Sequence, residues 1–279
     1  MKHEWPETFG NGGKILFGNL VGGEPFLQDR RPLGRRDGRK TRENVVDAER
    51  IAAAVTPKTR AIIVNSPWNP TGRVLSRDEL TGIAEIAEQH DLWIIADEVY
   101  GELVYQGSEH ISIASLGPDA AERTVIATSL SKSFAMTGWR LGWAVGNAEA
   151  IGVLSRVKSF MDTGQFMGIQ AAGVAALESW AEWVPGNVAA FEGRRDAVVK
   201  ALNDAGYSVV SPQATMYVWV PVPKGEASEQ FATRALEQEG VIVLPGSSLG
   251  AGGEGFFRIA LTVSAERLVE AAKRLGRVI

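Results

Sequence analysis

Cysteine is absent from the 279 residues, which excludes disulfides, a thiolate metal site and a cysteine nucleophile. Histidine is scarce: His3, His90 and His110 are scattered, so no histidine-rich metal centre is expected. No apolar run reaches membrane-spanning length, and the N-terminus has no basic-then-apolar signal pattern. A cytoplasmic protein without a membrane partner is the expectation. Neither charge sign dominates: the net charge is −4, so no basic field points to nucleic acid. Internal repeats and low-complexity linkers are missing too. What is present is ordinary globular composition, 45% hydrophobic and 22% charged, enough for one large domain or two smaller ones.

Residues 1–45 carry little pattern. Gly10, Gly12 and Gly13 precede Lys14, but the spacing fails that of a phosphate loop, and Ile15 stands where a hydroxyl belongs. The basic run at 30–42 reads as a solvated or disordered segment. Regular patterning begins at residue 47. "AERIAAAV" reads as a helix and "AIIVN" (61–65) as a strand, and Ser76 with Glu79 forms a capping box opening the helix "RDELTGIAEIAEQH". "WIIAD" (93–97), "TVIAT" (124–128) and "GWAVG" (142–146) read as further strands. Alternating helices and apolar strands predict an α/β fold, a three-layer αβα arrangement around a mainly parallel sheet.

Beyond residue 147 the pattern predicts helices at 148–160, 166–182 and 188–205. "YSVVSP", "MYVWVPV", a helix near 227–239, "VIVLPG", "FFRIAL" and a helix from Ser264 follow, as a smaller α+β unit. The expected division is a poorly patterned start at 1–45, a larger domain at 46–187 and a small C-terminal domain at 188–279.

Parallel sheets bind ligands beyond the carboxyl ends of their strands, and four polar clusters lie just there. In "NSPWNPTG", Pro67, Pro70 and Gly72 shape a loop that presents Asn69, though alone it reads equally as a turn. In "ADEVY", Asp97 ends an apolar strand, where a part-buried carboxylate calls for a cationic partner, and Tyr100 follows within reach. A helix-capping role for Asp97 is the competing reading. In "SLSKSFAMTGWRLGW", Lys132 sits among Ser129, Ser131 and Ser133, with Arg140 eight residues on. An amine nucleophile must lose its proton. Hydroxyls and an arginine suit a phosphate ester, although a lysine among serines is also common at a surface turn. In "FFRIALT", Arg258 lies within an apolar strand and needs an anion, either an internal acid or a substrate carboxylate. Together the clusters complement pyridoxal 5′-phosphate carrying an amino acid.

Over residues 47–279, these four motifs in this order resemble the class I/II aminotransferases of the pyridoxal-phosphate fold-type I superfamily. The segment from "TMYVWVPVP" to "GEGFFRIALT" is most similar to the LL-diaminopimelate aminotransferase branch. The resemblance implies that Lys132 is the Schiff-base lysine and that Asp97 pairs with the ring nitrogen. Asn69 and Tyr100 would hold the phenolic oxygen, Ser129, Ser131 and Arg140 the phosphate, and Arg258 the substrate α-carboxylate. It implies ping-pong transfer of an amino group between an amino acid and a 2-oxo acid such as 2-oxoglutarate, in a homodimer whose "FMDTGQF" segment (160–166) approaches the neighbouring site. "LVGGEP" (20–25) resembles a remnant of an earlier helix-to-strand turn. The family's phosphate-binding loop and ring-stacking aromatic find no match in residues 1–45, so an N-terminally truncated member is expected. Two alternatives use the same residues: a β-lyase on this scaffold, and a non-catalytic homologue.

Overall fold

The computed structural model describes residues 46 and 48–279 apart from 163 and 224, together with the backbone of three short strands in the first 25 residues. The large sheet has seven strands: β1 (Lys14–Phe17), β2 (Leu20–Val21), β3 (Glu24–Pro25), β4 (Thr59–Asn65), β5 (Trp93–Asp97), β6 (Thr124–Ser129) and β7 (Gly142–Gly146). Their spatial order is β3-β2-β1-β4-β5-β6-β7. Strands β1, β4, β5 and β6 run parallel, and β7 pairs antiparallel with β6 at the end of the sheet. The expected α/β architecture with a mainly parallel sheet is therefore present.

Burial explains why apolar runs became the central strands. Ile62, Val64, Ile94 and Ala96 are all buried. They pack against helix α2 (Arg77–Gln89), whose Leu80, Ile83 and Ile86 recur at helical spacing on one face. The capping box forms as predicted: Glu79 N–H donates to Ser76 Oγ at 3.3 Å, and Ser76 N–H donates to Glu79 Oε2 at 2.9 Å. Glu79 Oε1 also accepts from Val46 N–H at 2.7 Å and from Arg73, tying helix α1 (Ala48–Ala54) to α2.

The small sheet contains β8 (Tyr217–Pro221), β9 (Leu244–Pro245) and β10 (Phe256–Ala260), in the order β8-β10-β9 and antiparallel throughout. Its core gathers Phe231 from α8 (Ser228–Glu239), Leu268 and Ala272 from α9 (Ala265–Leu275), and Phe257. Leu103 and Tyr105, just beyond β5, are part of the same core. The short helix α3 (Pro118–Glu122) precedes β6, the four-residue helix α4 (Leu130–Ser133) follows it, and α5 (Ala148–Met161), α6 (Met167–Glu178) and α7 (Trp180–Asp204) run along the chain between β7 and β8. The long α7 serves two cores. Val184 packs with Leu130 and Phe134 beneath α4, while Phe191, Val198 and Leu202 join the small-sheet core.

Three sequence expectations need correction. "YSVVSP" forms no strand, because Asn203 at the end of α7 binds Val209 through both its amide oxygen and its amide nitrogen. The helix expected at 166–182 ends at Glu178, and α7 starts at Trp180, eight residues earlier than expected. "LVGGEP" supplies β2 and β3, paired antiparallel, rather than a helix-to-strand turn. The glycines at 10–13 and the basic run at 30–42 lie outside the described residues.

Candidate active site

In-register parallel pairing brings the motifs together. Asn65 at the end of β4 lies opposite Asp97 at the end of β5, and Asp97 lies opposite Ala127 in β6. The loops after all three strands therefore open at one sheet edge. The Asn65 side chain donates to the Asp97 carbonyl at 3.2 Å and accepts from Asn69 N–H at 3.2 Å, joining the first two motifs. Asp97 is half-buried, and its carboxylate accepts from Val99 N–H at 3.3 Å. Burial pushes its pKa above the usual carboxylate value, against the pull of the Val99 and Asn65 hydrogen bonds. No regular helix follows Asp97, so the helix-capping alternative does not apply.

Tyr100 is buried, and its ring stands edge-on to Tyr217 with centroids 6.1 Å apart. Its hydroxyl donates to the Tyr217 hydroxyl over 3.4 Å. Burial, with the Tyr217 hydroxyl beside it, drives the Tyr100 pKa upward, so the phenol stays protonated. Lys132 lies in α4 with its Nζ 5.8 Å from the centre of the Tyr100 ring. The peptide around Lys132 is held from below: Asn187 on α7 donates to the carbonyls of Lys132 and Ser133 at 3.3 and 2.8 Å.

Arg258 reaches the same edge from the small sheet. Its Nη1 donates to Asn69 Oδ1 at 2.9 Å, and its guanidinium lies 4.0 Å from the centre of the Tyr217 ring. No ion pair engages it among the described residues, so the internal-acid alternative is not realised there. The structure thus joins Asn69, Asp97, Tyr100, Lys132 and Arg258 into one cluster.

The side chains of the remaining three residues make no hydrogen bond to that cluster among the described residues. Ser129 Oγ accepts from Ser131 N–H at 3.3 Å as the cap of α4. Arg140 has a left-handed backbone (φ 53°), is exposed, and donates from Nη1 to the Thr137 carbonyl at 2.8 Å. Its guanidinium makes no hydrogen bond to Ser129 or Ser131.

Sequence reasoning missed Asn65, Asn187 and Tyr217. Asn65 stood in view as the polar residue closing an apolar strand, as Asp97 does on β5. Asn187 gave no such sign, since it lies inside a helix. Tyr217 sat in a quoted segment but depends on a contact 117 residues distant.

Residues 38–275 match the family model described as aminotransferase class I and II. The chain belongs to that family. It is 40% identical over 260 residues to LL-diaminopimelate aminotransferase of Moorella thermoacetica, covering 93% of this chain and 64% of the relative. It is 43% identical over 233 residues to arginine–pyruvate transaminase of Pseudomonas aeruginosa, covering 83% and 59%. Among solved structures, aspartate aminotransferase from Thermus thermophilus with maleate superposes with a TM-score of 0.79 at 36% identity, covering 84% of this chain and 61% of that one. The chain therefore spans less than two thirds of the length of these relatives.

With class I and II membership comes pyridoxal 5′-phosphate as cofactor. The cluster's donor set fits that group. It offers an acid for a cationic ring nitrogen, a protonated phenol and an amide for an oxyanion, an amine, and an arginine without an acidic partner among the described residues. Those residues hold no group of three acidic or histidine side chains suited to a metal. None of their helices is long and apolar enough to cross a membrane.

Proposed function

We infer that this site transfers an α-amino group between an amino acid and a 2-oxo acid, with LL-diaminopimelate and 2-oxoglutarate as the pair. The observation that carries the reading is Arg258. It is bonded to the Asn69 amide and stacked on Tyr217, and it has no carboxylate partner among the described residues. A half-buried guanidinium there is suited to a carboxylate arriving from outside, beside an amine and an acid. The relatives' names suggest the substrate pair, because several are LL-diaminopimelate aminotransferases.

When bound, pyridoxal phosphate supplies an electron sink that makes the substrate Cα–H acidic. The chain's own residues do the rest. Arg258 holds the substrate carboxylate and so fixes the orientation of Cα. Asp97 keeps a proton at the ring nitrogen by offering a carboxylate across from it. Asn69 and Tyr100 donate to the ring oxygen. Lys132, once its amine is free, would take the Cα proton and pass it on to the cofactor within the same half-reaction, with the reverse transfer in the other half. Ser129, Ser131 and Arg140 hold the phosphate, which requires the Arg140 guanidinium to leave the Thr137 carbonyl. A second copy of the chain and a division near residue 187 complete the proposal. Apolar side chains on the outer face of α5 and α6 support the former, and the two cores of α7 the latter.

The test is covalent. The full chain is mixed with pyridoxal phosphate, reduced with borohydride and mapped by mass spectrometry. Lys132 should carry the label, and Lys132→Ala should abolish it. Equal scattered labelling of both forms would defeat the assignment.

A further inference from the structure

A second polar cluster lies directly behind the Asp97–Tyr100 loop, and the chemistry above does not use it. Glu98 follows Asp97, so its side chain projects to the other side of the strand end. Its Oε1 accepts from the Ser112 hydroxyl at 2.7 Å, and its Oε2 lies 3.2 Å from His110 Nε2. The Glu98 and His110 side chains are only 13% and 14% exposed. The surrounding wall is apolar, with Val64, Leu80, Ala96 and Ile113 facing the pair. The imidazole also packs against the loop: a Cβ added at Gly101 would sit 2.9 Å from His110 Cδ2 and 3.1 Å from Nε2. Only glycine lets the ring approach the peptide that follows Tyr100. The loop itself is a tight turn, with Gly101 N–H donating to the Glu98 carbonyl at 2.8 Å and Glu98 N–H to the Ala127 carbonyl at 3.0 Å.

We propose that Glu98, His110 and Ser112 form a buried clamp whose role is to position Asp97 and Tyr100, the two loop residues that face the cofactor ring. The inference rests on the functional reading above only for what Asp97 and Tyr100 do. A carboxylate in an apolar setting is costly unless its oxygens are satisfied. Here the two partners come from the segment at 110–112, so satisfying Glu98 fixes that segment against the loop. Moving Glu98 would drag Asp97 directly and Tyr100 two residues on. The titratable and charged groups facing this loop are Asp97, Glu98 and Tyr100 on it, His110 behind it, Lys132 from α4, and Tyr217 and Arg258 from the small sheet.

The experiment reads the full chain without cofactor. Carboxyl and tyrosine-ring carbons are labelled, and the NMR titration of Asp97 and the ring signal of Tyr100 are compared in the parent, Glu98→Gln and His110→Ala. Glu98→Gln keeps an acceptor for Ser112 but removes a negative charge beside Asp97. The Asp97 midpoint should fall in Glu98→Gln through the lost charge alone, so positioning is read at the Tyr100 ring signal, which both variants should shift. Leu268→Ala, in the small-sheet core, serves as a control of lowered stability and should move neither probe. If the Tyr100 ring signal matches the parent in Glu98→Gln, the clamp does not position the loop, whatever the Asp97 midpoint and the melting temperatures show. Should His110→Ala fail to fold, Glu98→Gln alone decides. A parent that takes no borohydride label at Lys132 would sink the aminotransferase reading and leave this result standing.

Discussion

Phe257 in β10 is wholly buried, whereas Phe160 on α5 is 91% exposed. The contrast extends around each residue. Phe257 stacks on Phe231 with centroids 4.7 Å apart and meets Tyr207 edge-on at 5.9 Å. Near Phe160, Met161, Phe166 and Met167 are each more than 70% exposed, and Trp143 and Val145 face outward from β7 at the end of the large sheet. The described residues thus seal the small-sheet core and leave apolar surface open on the β7 side. The candidate site straddles the two regions. Asn69, Tyr100, Tyr217 and Arg258 lie toward the sealed region and are bonded into one network. Arg140 lies toward the open one and is satisfied only by its own turn. A site takes its order from the packing beneath it.

Phe257→Ala should break the contrast most severely. Emptying a close-packed aromatic site costs about 3–5 kcal/mol, measured as a fall in the urea midpoint. Gly72→Ala should come next, at about 1–3 kcal/mol. Gly72 has φ +71°, and a Cβ there would lie 2.4 Å from Pro212 Cβ and 2.6 Å from the Ala214 carbonyl oxygen. The Gly72 carbonyl accepts from Gln213 and Ala214 N–H at 3.0 and 2.9 Å, so this substitution loosens the seam between the Asn69 loop and the small sheet. Weaker pyridoxal phosphate binding, read by titrating the chain's fluorescence, should accompany the lost stability.

Two acids beside the large sheet should respond to pH in opposite senses. Burial alone would raise Glu79, but the Ser76 N–H, Arg73 and the Val46 N–H hold its pKa below the ordinary 4.5. A lowered folded value means that the stabilisation is present above 4.5 and is lost as pH falls through the folded value. Glu79→Ala should cost about 1–2 kcal/mol near neutrality, and the gap to the parent should close in acid. Asp97 is the reverse case. Its folded pKa lies above 3.8, chiefly through burial, so its contribution is fully present below 3.8 and is lost as pH rises through the folded value. Asp97→Asn should therefore leave the cofactor-free chain slightly more stable at neutral pH, read from urea melts across a pH series.

These examples show which features were legible in the sequence and why. Asp97 and Arg258 announced themselves because one closes and the other interrupts an apolar strand, and Lys132 because it follows such a strand among serines; strand ends converge wherever parallel strands pair in register. The Ser76–Glu79 capping box was legible because both partners sit within one turn. Long-range partnerships were not. Asn187 faces the Lys132 peptide only because α7 begins at Trp180 and runs unbroken through Pro185 to Asp204. "YSVVSP" had strand-like residues, but the Asn203 side chain claimed the Val209 backbone groups that a strand neighbour would need. Arg140 reads as a phosphate donor in the sequence, but its bond to the Thr137 carbonyl accompanies a left-handed backbone at 140 that a non-glycine residue does not announce.

The smallest expected effect lies on the open side. Phe160→Ser and Phe166→Ser together should change folding stability by no more than about 0.5 kcal/mol. An exposed ring loses little contact with water on folding, so removing it subtracts nearly equally from both states. Serine is comparable to phenylalanine in helix propensity, which protects α5 at Phe160. Phe166 is the N-cap of α6 and gives no side-chain hydrogen bond, whereas serine there can accept one from the first turn. What should change is association: light scattering at a fixed concentration should fall as the apolar patch shrinks. A stability loss approaching that of Phe257→Ala would show that the α5–α6 face is packed in the folded chain, and the contrast between the two regions would disappear.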